Sequence, residues 1–268
     1  MITDWDDAYA NRAHVPQAQP LMDAWPGDAK AFRDAHPLAE LNVAYGPHPR
    51  HRYDLFMPEG APKGLMVFVH GGYWLLFDRS YWSHYATGGL AQGYAVAVIE
   101  YPVAPEARFD AIAEATAMAV AHAAARVSGP IVLTGHSAGG HLVARVATDN
   151  GPLPATIAAR VTRVTPISGL FDLRPMLQLE MNADWKLDMG QVMAESPIFH
   201  MPLAHVTYTA WVGGAERPEF LRQNALLANV WTGCGATISA IEAPDRHHFD
   251  VIEGLKDPDH PLMKAVLG

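Results

Sequence analysis

Short apolar runs recur along the chain, and each is closed by glycine, proline or polar residues. The runs LMVFVH at Leu65–His70 and YAVAVI at Tyr94–Ile99 are apolar almost throughout, which is typical of strands buried on both faces of a sheet. Two weaker runs before them, Leu41–Tyr45 and Arg52–Met57, also predict strands. The first half of the chain therefore predicts a sheet with buried central strands.

The second half alternates between strand and helix patterns. Asp110–Val127 is rich in alanine and free of glycine and proline, so it predicts a helix. The later elements are predicted as strands at Pro130–Thr134, Val161–Ile167, Thr207–Val212 and Thr237–Ile241, with a helix at Glu219–Val230. Because strands and helices that alternate at this spacing form right-handed crossovers, we expect an α/β fold with a mostly parallel central sheet and helices on both faces.

Two stretches depart from this alternation. The residues before Leu41 contain several prolines and predict an irregular start. Residues 170–202 are rich in methionine and follow a strand end, which favours a small helical cap inserted over a functional site. No internal repeat or low-complexity tract divides the chain, so a single domain over residues 1–268 is expected.

Composition excludes several classes of protein. Half of the residues are apolar, yet no uninterrupted apolar run approaches the ~20 residues that span a bilayer. The first residues, MITDWDDAYANR, lack the basic and apolar regions of a secretory signal, and the one cysteine, Cys234, cannot form an intrachain disulfide. We therefore expect a soluble cytoplasmic protein.

Charge and histidine placement narrow the expected partners. Lys and Arg total 19 against 28 Asp and Glu, a net charge of −9, and no basic cluster indicates nucleic acid or an anionic membrane. The 14 histidines are scattered without a zinc motif such as HExxH, so no metal and no other cofactor is predicted. The expected partner is a small-molecule substrate. The sequence leaves open whether the protein forms a homodimer.

The segment IVLTGHSAGGHLVARVA carries the strongest chemical signal. An apolar strand runs into Gly135-His136-Ser137-Ala138-Gly139 and then into a helical pattern, which is the G-x-S-x-G nucleophile elbow. Such a turn presents Ser137 above the sheet, and the helix that follows directs free N–H groups at a developing oxyanion. We expect Ser137 to be a nucleophile and the amide of Ala138 to be an oxyanion donor.

A second motif, His70-Gly71-Gly72-Tyr73-Trp74, directly follows the strand at Leu65–His70. Hydrolases with such an elbow place the rest of the oxyanion hole in this loop, so the amides of Gly71 and Gly72 are further expected donors. His70 is expected to brace the loop or to contact substrate. Tyr73 and Trp74, with Trp185 and Phe249 elsewhere, are expected to frame an aromatic group, although such residues equally suit the core.

A serine nucleophile needs a base and a carboxylate that orients this base. The loop after the last predicted strand contains two candidate bases, His247 and His248. Glu216 follows the strand Thr207–Val212 and has the expected chain order of serine, acid and histidine. Asp172 and Asp245 are rival acids.

Together these residues resemble the kynurenine formamidase (arylformamidase) branch of the α/β-hydrolases. The match covers most of the chain. It rests on Tyr9, Asn11 and Arg12, on HGGYW at His70–Trp74, on the elbow, on Tyr101–Glu106 (YxxAPE), on Ser168–Leu173 (SGxxDL), on Ser196-Pro197, on Pro218-Glu219-Phe220 with Arg222-Gln223, and on His248-Phe249-Asp250 with Glu253.

The resemblance implies Ser137 as nucleophile, His248 as base and the acid at position 216, where the family usually has aspartate and this chain has Glu216. It also implies hydrolysis of a small aryl formamide such as N-formylkynurenine, in tryptophan catabolism, through an acyl-enzyme. A general short-chain carboxylesterase is the alternative within the same fold. A non-catalytic ligand-binding protein on a hydrolase scaffold is the alternative from another class.

Overall fold

Eight strands form one sheet at the centre of the computed structural model, which describes residues 2–268. The strands are β1 (Ala39–Ala44), β2 (Arg52–Phe56), β3 (Leu65–Val69), β4 (Ala95–Ile99), β5 (Ile131–His136), β6 (Val161–Ile167), β7 (Thr207–Gly213) and β8 (Thr237–Ala243). Their spatial order is β1-β2-β4-β3-β5-β6-β7-β8, and only the β1–β2 and β2–β4 pairs are antiparallel. The predicted mostly parallel α/β sheet is confirmed.

Helices cover both faces of this sheet. They are α1 (Trp5–Tyr9), α2 (Ala18–Ala35), α3 (Thr87–Ala91), α4 (Phe109–Ala124), α5 (Ala138–Val146), α6 (Ala155–Ala158), α7 (Asn182–Trp185), α8 (Met189–Glu195), α9 (Pro218–Gly233) and α10 (Pro261–Leu267). Short 3₁₀ turns lie at Arg12–His14, Arg79–Tyr81, Ser83–Ala86, Arg174–Gln178, Pro197–Phe199 and Glu253–Lys256. None of the described helices combines the length and the apolar character needed to cross a membrane.

The side chains of β3 show how one strand supplies two cores. Val67 packs into the cluster that includes Phe109 of α4, whereas Phe68 packs into the cluster on the opposite face with Trp25 of α2. Successive residues of a strand point to opposite faces, and every residue of β3 is fully buried. The continuous apolar run of the sequence thus reflects burial on both faces.

The expectation of an irregular start is wrong, because residues 18–35 form the helix α2. Pro20 lies in the first helical turn, where its missing N–H costs no hydrogen bond, but Pro26 lies inside the helix and removes one. The buried side chains of Trp25 and Ala29 compensate for this loss by packing against the sheet face that carries Phe68. Tertiary contact therefore overrides a local pattern that disfavours a helix.

Residues 170–202 are helical, as their composition predicts, but only in short pieces. Four segments divide the stretch: Arg174–Gln178, α7, α8 and Pro197–Phe199. Trp185 at the end of α7 donates its indole N–H to the carbonyl of Tyr73 at 2.7 Å. The stretch is thereby attached to the loop that follows β3.

Candidate active site

Ser137 lies at the junction between β5 and α5. Its backbone angles, φ 55° and ψ −116°, fall outside the regions that ordinary residues prefer, and its amide donates to the carbonyl of Ile167 at 2.8 Å. Gly139 makes the turn sterically feasible, because a Cβ at that position would collide with the carbonyl oxygens of Val69 and His70. The elbow geometry predicted from the motif is present.

His248 and Glu216 meet although 32 residues separate them. The Nδ1 atom of His248 lies 2.6 Å from Oε2 of Glu216, and the Glu216 side chain is completely buried. The other oxygen, Oε1, accepts the amide of Gly213 at 2.8 Å and the hydroxyl of Ser168 at 2.5 Å. The carboxylate is therefore fixed on both oxygens, and it holds the imidazole through Nδ1.

The rival candidates lie elsewhere. Asp172 accepts the guanidinium of Arg174 through both oxygens, at 2.9 and 2.8 Å, and Asp245 is exposed. The Nδ1 atom of His247 accepts the amides of Phe249 and Asp250, so this histidine caps its own turn. The structure thus brings His248 and Glu216 together and leaves the alternatives outside.

The Gly-Gly loop after β3 comes close to the elbow. A Cβ at Gly71 would lie 3.0 Å from the Cβ of Ser137 and 2.9 Å from the carbonyl oxygen of His136. Ala138 is the first residue of α5, so its amide has no acceptor within that helix. Gly71 therefore lies against Ser137, Ala138 follows it in the chain, and Gly72 lines the same cavity.

One cavity of about 250 Å³ connects these groups. Its lining residues are Arg12, Met22, Trp25, Gly71, Gly72, Tyr73, Leu76, Phe77, Trp82, His136, Ser137, Met181, His248 and Phe249. Within the described chain the hydroxyl of Ser137 makes no hydrogen bond, although it borders the same space as His248. The walls are mainly apolar and aromatic.

Three residues expected to contact substrate lie in the core instead. His70, Trp74 and Trp185 are at most 2% exposed, and none of them lines the cavity. The sequence could not distinguish an aromatic residue beside a site from one that supports it. Tyr73 and Phe249 do line the cavity.

His70 and Trp74 instead hold the Gly-Gly loop in place. The Trp74 indole donates to Nδ1 of His141 on α5 at 3.2 Å, which joins this loop to the helix of the elbow. The His70 ring stacks on Tyr101 at 4.4 Å between ring centroids, and Tyr101 donates its hydroxyl to the carbonyl of His70 at 2.8 Å. Burial lowers the pKa values of His70 and His141 to about 4, so both rings are neutral at physiological pH.

His136, the variable residue of the elbow, packs directly on His248. The centroids of the two rings are 4.6 Å apart, and Phe220 approaches the His248 ring at the same distance. Burial first, and then the neighbouring His248, hold the pKa of His136 well below its usual value. A neutral His136 thus confines the His248 ring without competing for protons.

Sequence reasoning missed the wall that the amino-terminal segment contributes. Arg12, Met22 and Trp25 line the cavity, while residues 170–202 contribute Met181. The Trp25 ring stacks with Phe249 at 6.3 Å and packs on Trp82 at 4.6 Å. Ser168 was also missed as a partner of Glu216, although the SGxxDL stretch marks its position after β6.

Comparison with known proteins places this geometry in a family. Residues 53–210, more than half of the chain, match the family BD-FAE. The chain belongs to the BD-FAE family. This family of α/β-hydrolases fits the sheet order and the elbow described above.

Several known proteins and solved structures are similar to this chain over most of their length. Kynurenine formamidase from Danio rerio is 25% identical, over 85% of this chain and 80% of that protein, and the Drosophila melanogaster enzyme is 28% identical, over 76% and 73%. A Silicibacter sp. tm1040 crystal structure, provisionally assigned as a thioesterase, is 45% identical with a TM-score of 0.95 and 99% coverage of both chains. An esterase from Pyrobaculum calidifontis shares the fold, with a TM-score of 0.73, 17% identity and coverage of 93% and 90%. These similarities support hydrolase activity for this BD-FAE protein.

Proposed function

We propose that this protein is a serine hydrolase that cleaves a small aryl formamide, such as N-formylkynurenine, through an acyl intermediate on Ser137. One observation carries the proposal: His248, which the buried Glu216 holds through Nδ1, lines the same cavity as Ser137 and the Gly71-Gly72 loop. The similarity to kynurenine formamidases supports this choice of substrate class.

In the first half of the reaction, Ser137 Oγ attacks the formyl carbon while Nε2 of His248 removes its proton. Nε2 has this role because Nδ1 is bound to Glu216. The hydrogen bond from Ser137 to His248 forms as substrate binds, since catalytic contacts in unliganded sites are commonly looser. The oxyanion accepts N–H groups of Gly71, Gly72 and Ala138, each contributing about 3 kcal/mol to the barrier reduction.

The second half repeats these roles with water. His248 first gives its proton to the leaving nitrogen, which departs as an aryl amine. His248 then takes a proton from water as the water oxygen attacks the formyl ester on Ser137. Collapse of the second tetrahedral intermediate releases formate and returns the proton to Ser137.

The cavity walls suit a flat aromatic leaving group. Trp25, Phe77, Trp82 and Phe249 offer ring faces and edges, and Tyr73 stands beside the Gly-Gly turn. Aromatic pairs in stacked or edge-to-face contact contribute about 0.5–1.5 kcal/mol beyond the area that they bury. Their apolar character also excludes water from the serine ester until the leaving group departs.

A short-chain carboxylesterase is the second candidate. The same acyl transfer acts on esters and thioesters, and the structural neighbours include esterases and the provisional thioesterase. The amide nitrogen leaves only after protonation, so an esterase needs less from His248 than a formamidase does.

A substrate panel separates the two candidates. We expect kcat/KM for N-formylkynurenine and formanilide to exceed that for p-nitrophenyl acetate and a short acyl thioester by at least tenfold. The reverse ranking would make the protein an esterase. Absence of turnover on every substrate, with no labelling of Ser137 by a fluorophosphonate probe, would reject a serine hydrolase altogether.

A further inference from the structure

Arg12 is the one residue with a fixed charge among those that line the catalytic cavity. Within the described chain, no carboxylate lies within salt-bridge distance of its guanidinium, which donates to the neutral side chain of Gln19. This differs from most other arginines of the chain, which is acidic overall. Arg79, Arg145 and Arg222, for example, all pair with buried carboxylates.

The acidic residues nearest to Arg12 in sequence are occupied by other partners. Asp7 binds His14 at 2.7 Å and Arg217 at 2.6 Å. Asp6 accepts the amide of Glu180 at 2.9 Å, and Asp4 caps α1 by accepting the amide of Asp7 at 2.9 Å. None of these three carboxylates therefore pairs directly with Arg12.

A second source of positive potential lies beside Arg12. Gln19, which Arg12 contacts, belongs to the first turn of the 18-residue helix α2, and this turn contains no acidic residue. The amino-terminal end of a helix carries a partial positive charge. The carboxylate of Asp23, one turn further along α2, accepts the side-chain amide of Gln19 at 2.6 Å. Met22 and Trp25 of the same helix continue from this turn along the cavity wall.

We propose that Arg12 and the first turn of α2 form an anion subsite at the cavity mouth, which selects aryl substrates that carry a carboxylate away from the scissile bond. The subsite deepens the proposed function and rests on it for the reaction at Ser137. Arginine suits this role because its planar guanidinium binds a carboxylate through two parallel hydrogen bonds. The apolar walls between Arg12 and Ser137 accommodate the aromatic spacer.

Inhibition of ester hydrolysis tests the subsite without relying on formamide turnover. With p-nitrophenyl acetate as reporter, 4-phenylbutyrate should inhibit more strongly than its uncharged analogue 4-phenylbutyramide. In Arg12→Gln the ratio of the two inhibition constants should fall at least fivefold, and Arg12→Lys should restore part of it. Arg126→Gln, which removes a surface arginine paired with Glu40, is the charge-matched control and should leave the ratio unchanged.

The substrate pair N-formylkynurenine and its α-carboxamide extends the test to turnover. The preference for the carboxylate should appear in KM rather than in kcat, and it should shrink in Arg12→Gln and at high salt. An equal effect of Arg12→Gln on charged and uncharged ligands would show that Arg12 only supports the structure, and would overturn the subsite. Failure of formamide turnover with an intact inhibition ratio would reject the formamidase proposal and keep the subsite.

Discussion

The hydroxyl of Ser168 donates to one oxygen of Glu216 at 2.5 Å, while the other oxygen of the same carboxylate lies 2.6 Å from His248. Ser168 follows β6 and Glu216 follows β7, so two adjacent parallel strands deliver the pair to the same edge of the sheet. Ser168 adopts φ 51°, and its amide is anchored to the carbonyl of Trp211 at 2.7 Å. Ser168 is thus a positioning residue for the candidate acid.

Replacing Ser168 by alanine tests this relationship. We expect kcat/KM to fall about tenfold, because a buried carboxylate that loses a charge-assisted hydrogen bond loses about 1.5 kcal/mol or more. The acidic limb of the pH–rate profile should also shift, since the altered carboxylate changes the imidazole that it holds. Ser196→Ala removes an equally buried hydroxyl outside the site, and it should leave the profile in place.

Ser137→Ala should abolish turnover of every substrate while the fold persists. The side chain makes no hydrogen bond in the described structure, so its loss leaves no buried partner unsatisfied. Residual activity above a few per cent of wild type, with an unchanged thermal unfolding midpoint, would show that another group attacks the substrate.

Glu216 should tolerate neither loss of charge nor loss of length. Glu216→Gln should reduce kcat by about 10³ to 10⁴, because a neutral amide does not stabilise the imidazolium or fix its tautomer. Glu216→Asp keeps the charge but withdraws it by ~1.5 Å, so it cannot reach His248, Gly213 and Ser168 together, and a reduction of about tenfold is expected. Glu242→Gln, at an exposed position of β8, provides the control. Similar kcat values for the Gln and Asp variants would contradict this order.

Stability should decrease steeply in mild acid. Burial lowers the pKa values of His70, His84 and His141 to about 4, whereas the unfolded chain titrates near 6.5. The unfolded state therefore binds more protons between these values, and the contribution present above pH 6.5 is lost as the pH falls towards 4. Glu195 opposes this trend, because burial raises its pKa to about 7 and its folded form takes up a proton first.

Burial also holds the pKa of His136 well below its usual value, so four histidines act against one carboxyl and the net slope should approach about 4 kcal/mol per pH unit between pH 4.5 and 6.5, measured as the free energy of unfolding in urea. His84→Leu removes one of these histidines at a position outside the cavity, and it should lower the slope by about 1.4 kcal/mol per pH unit. An identical slope in this variant would mean that His84 is not buried in its neutral form.

The sequence predicted most of the sheet because burial on both faces leaves apolar runs in β3, β4 and β5 that no other element explains. The turn at Ser137 could also be predicted from the sequence. Glycine is required at position 139, because any side chain there would collide with the carbonyl of Val69. The position of Glu216 followed from chain order and strand ends. These features depend on local sequence or on the rule that parallel strands end at one edge.

Other features depend on contacts between distant segments. The residues around Trp25 do not predict that α2 continues through Pro26. The helix is stabilised by packing against the sheet face that carries Phe68, which is distant in sequence. Likewise, the motif alone suggests that Trp74 and His70 bind substrate. In the structure Trp74 contacts His141 and His70 contacts Tyr101, and both lie in the core. Arg12 entered the sequence analysis only through the family resemblance, because its lack of an acidic partner depends on carboxylates that bind elsewhere.

The ring of Trp25 in α2 stacks on Phe249, which lies in the loop after β8, and both residues line the cavity. Phe249 directly follows His248 in the chain, so this stack also adjoins the segment that carries the candidate base. A substitution at Trp25 would thus affect the loop of His248 as well as the wall of the cavity, although the two segments lie far apart in sequence.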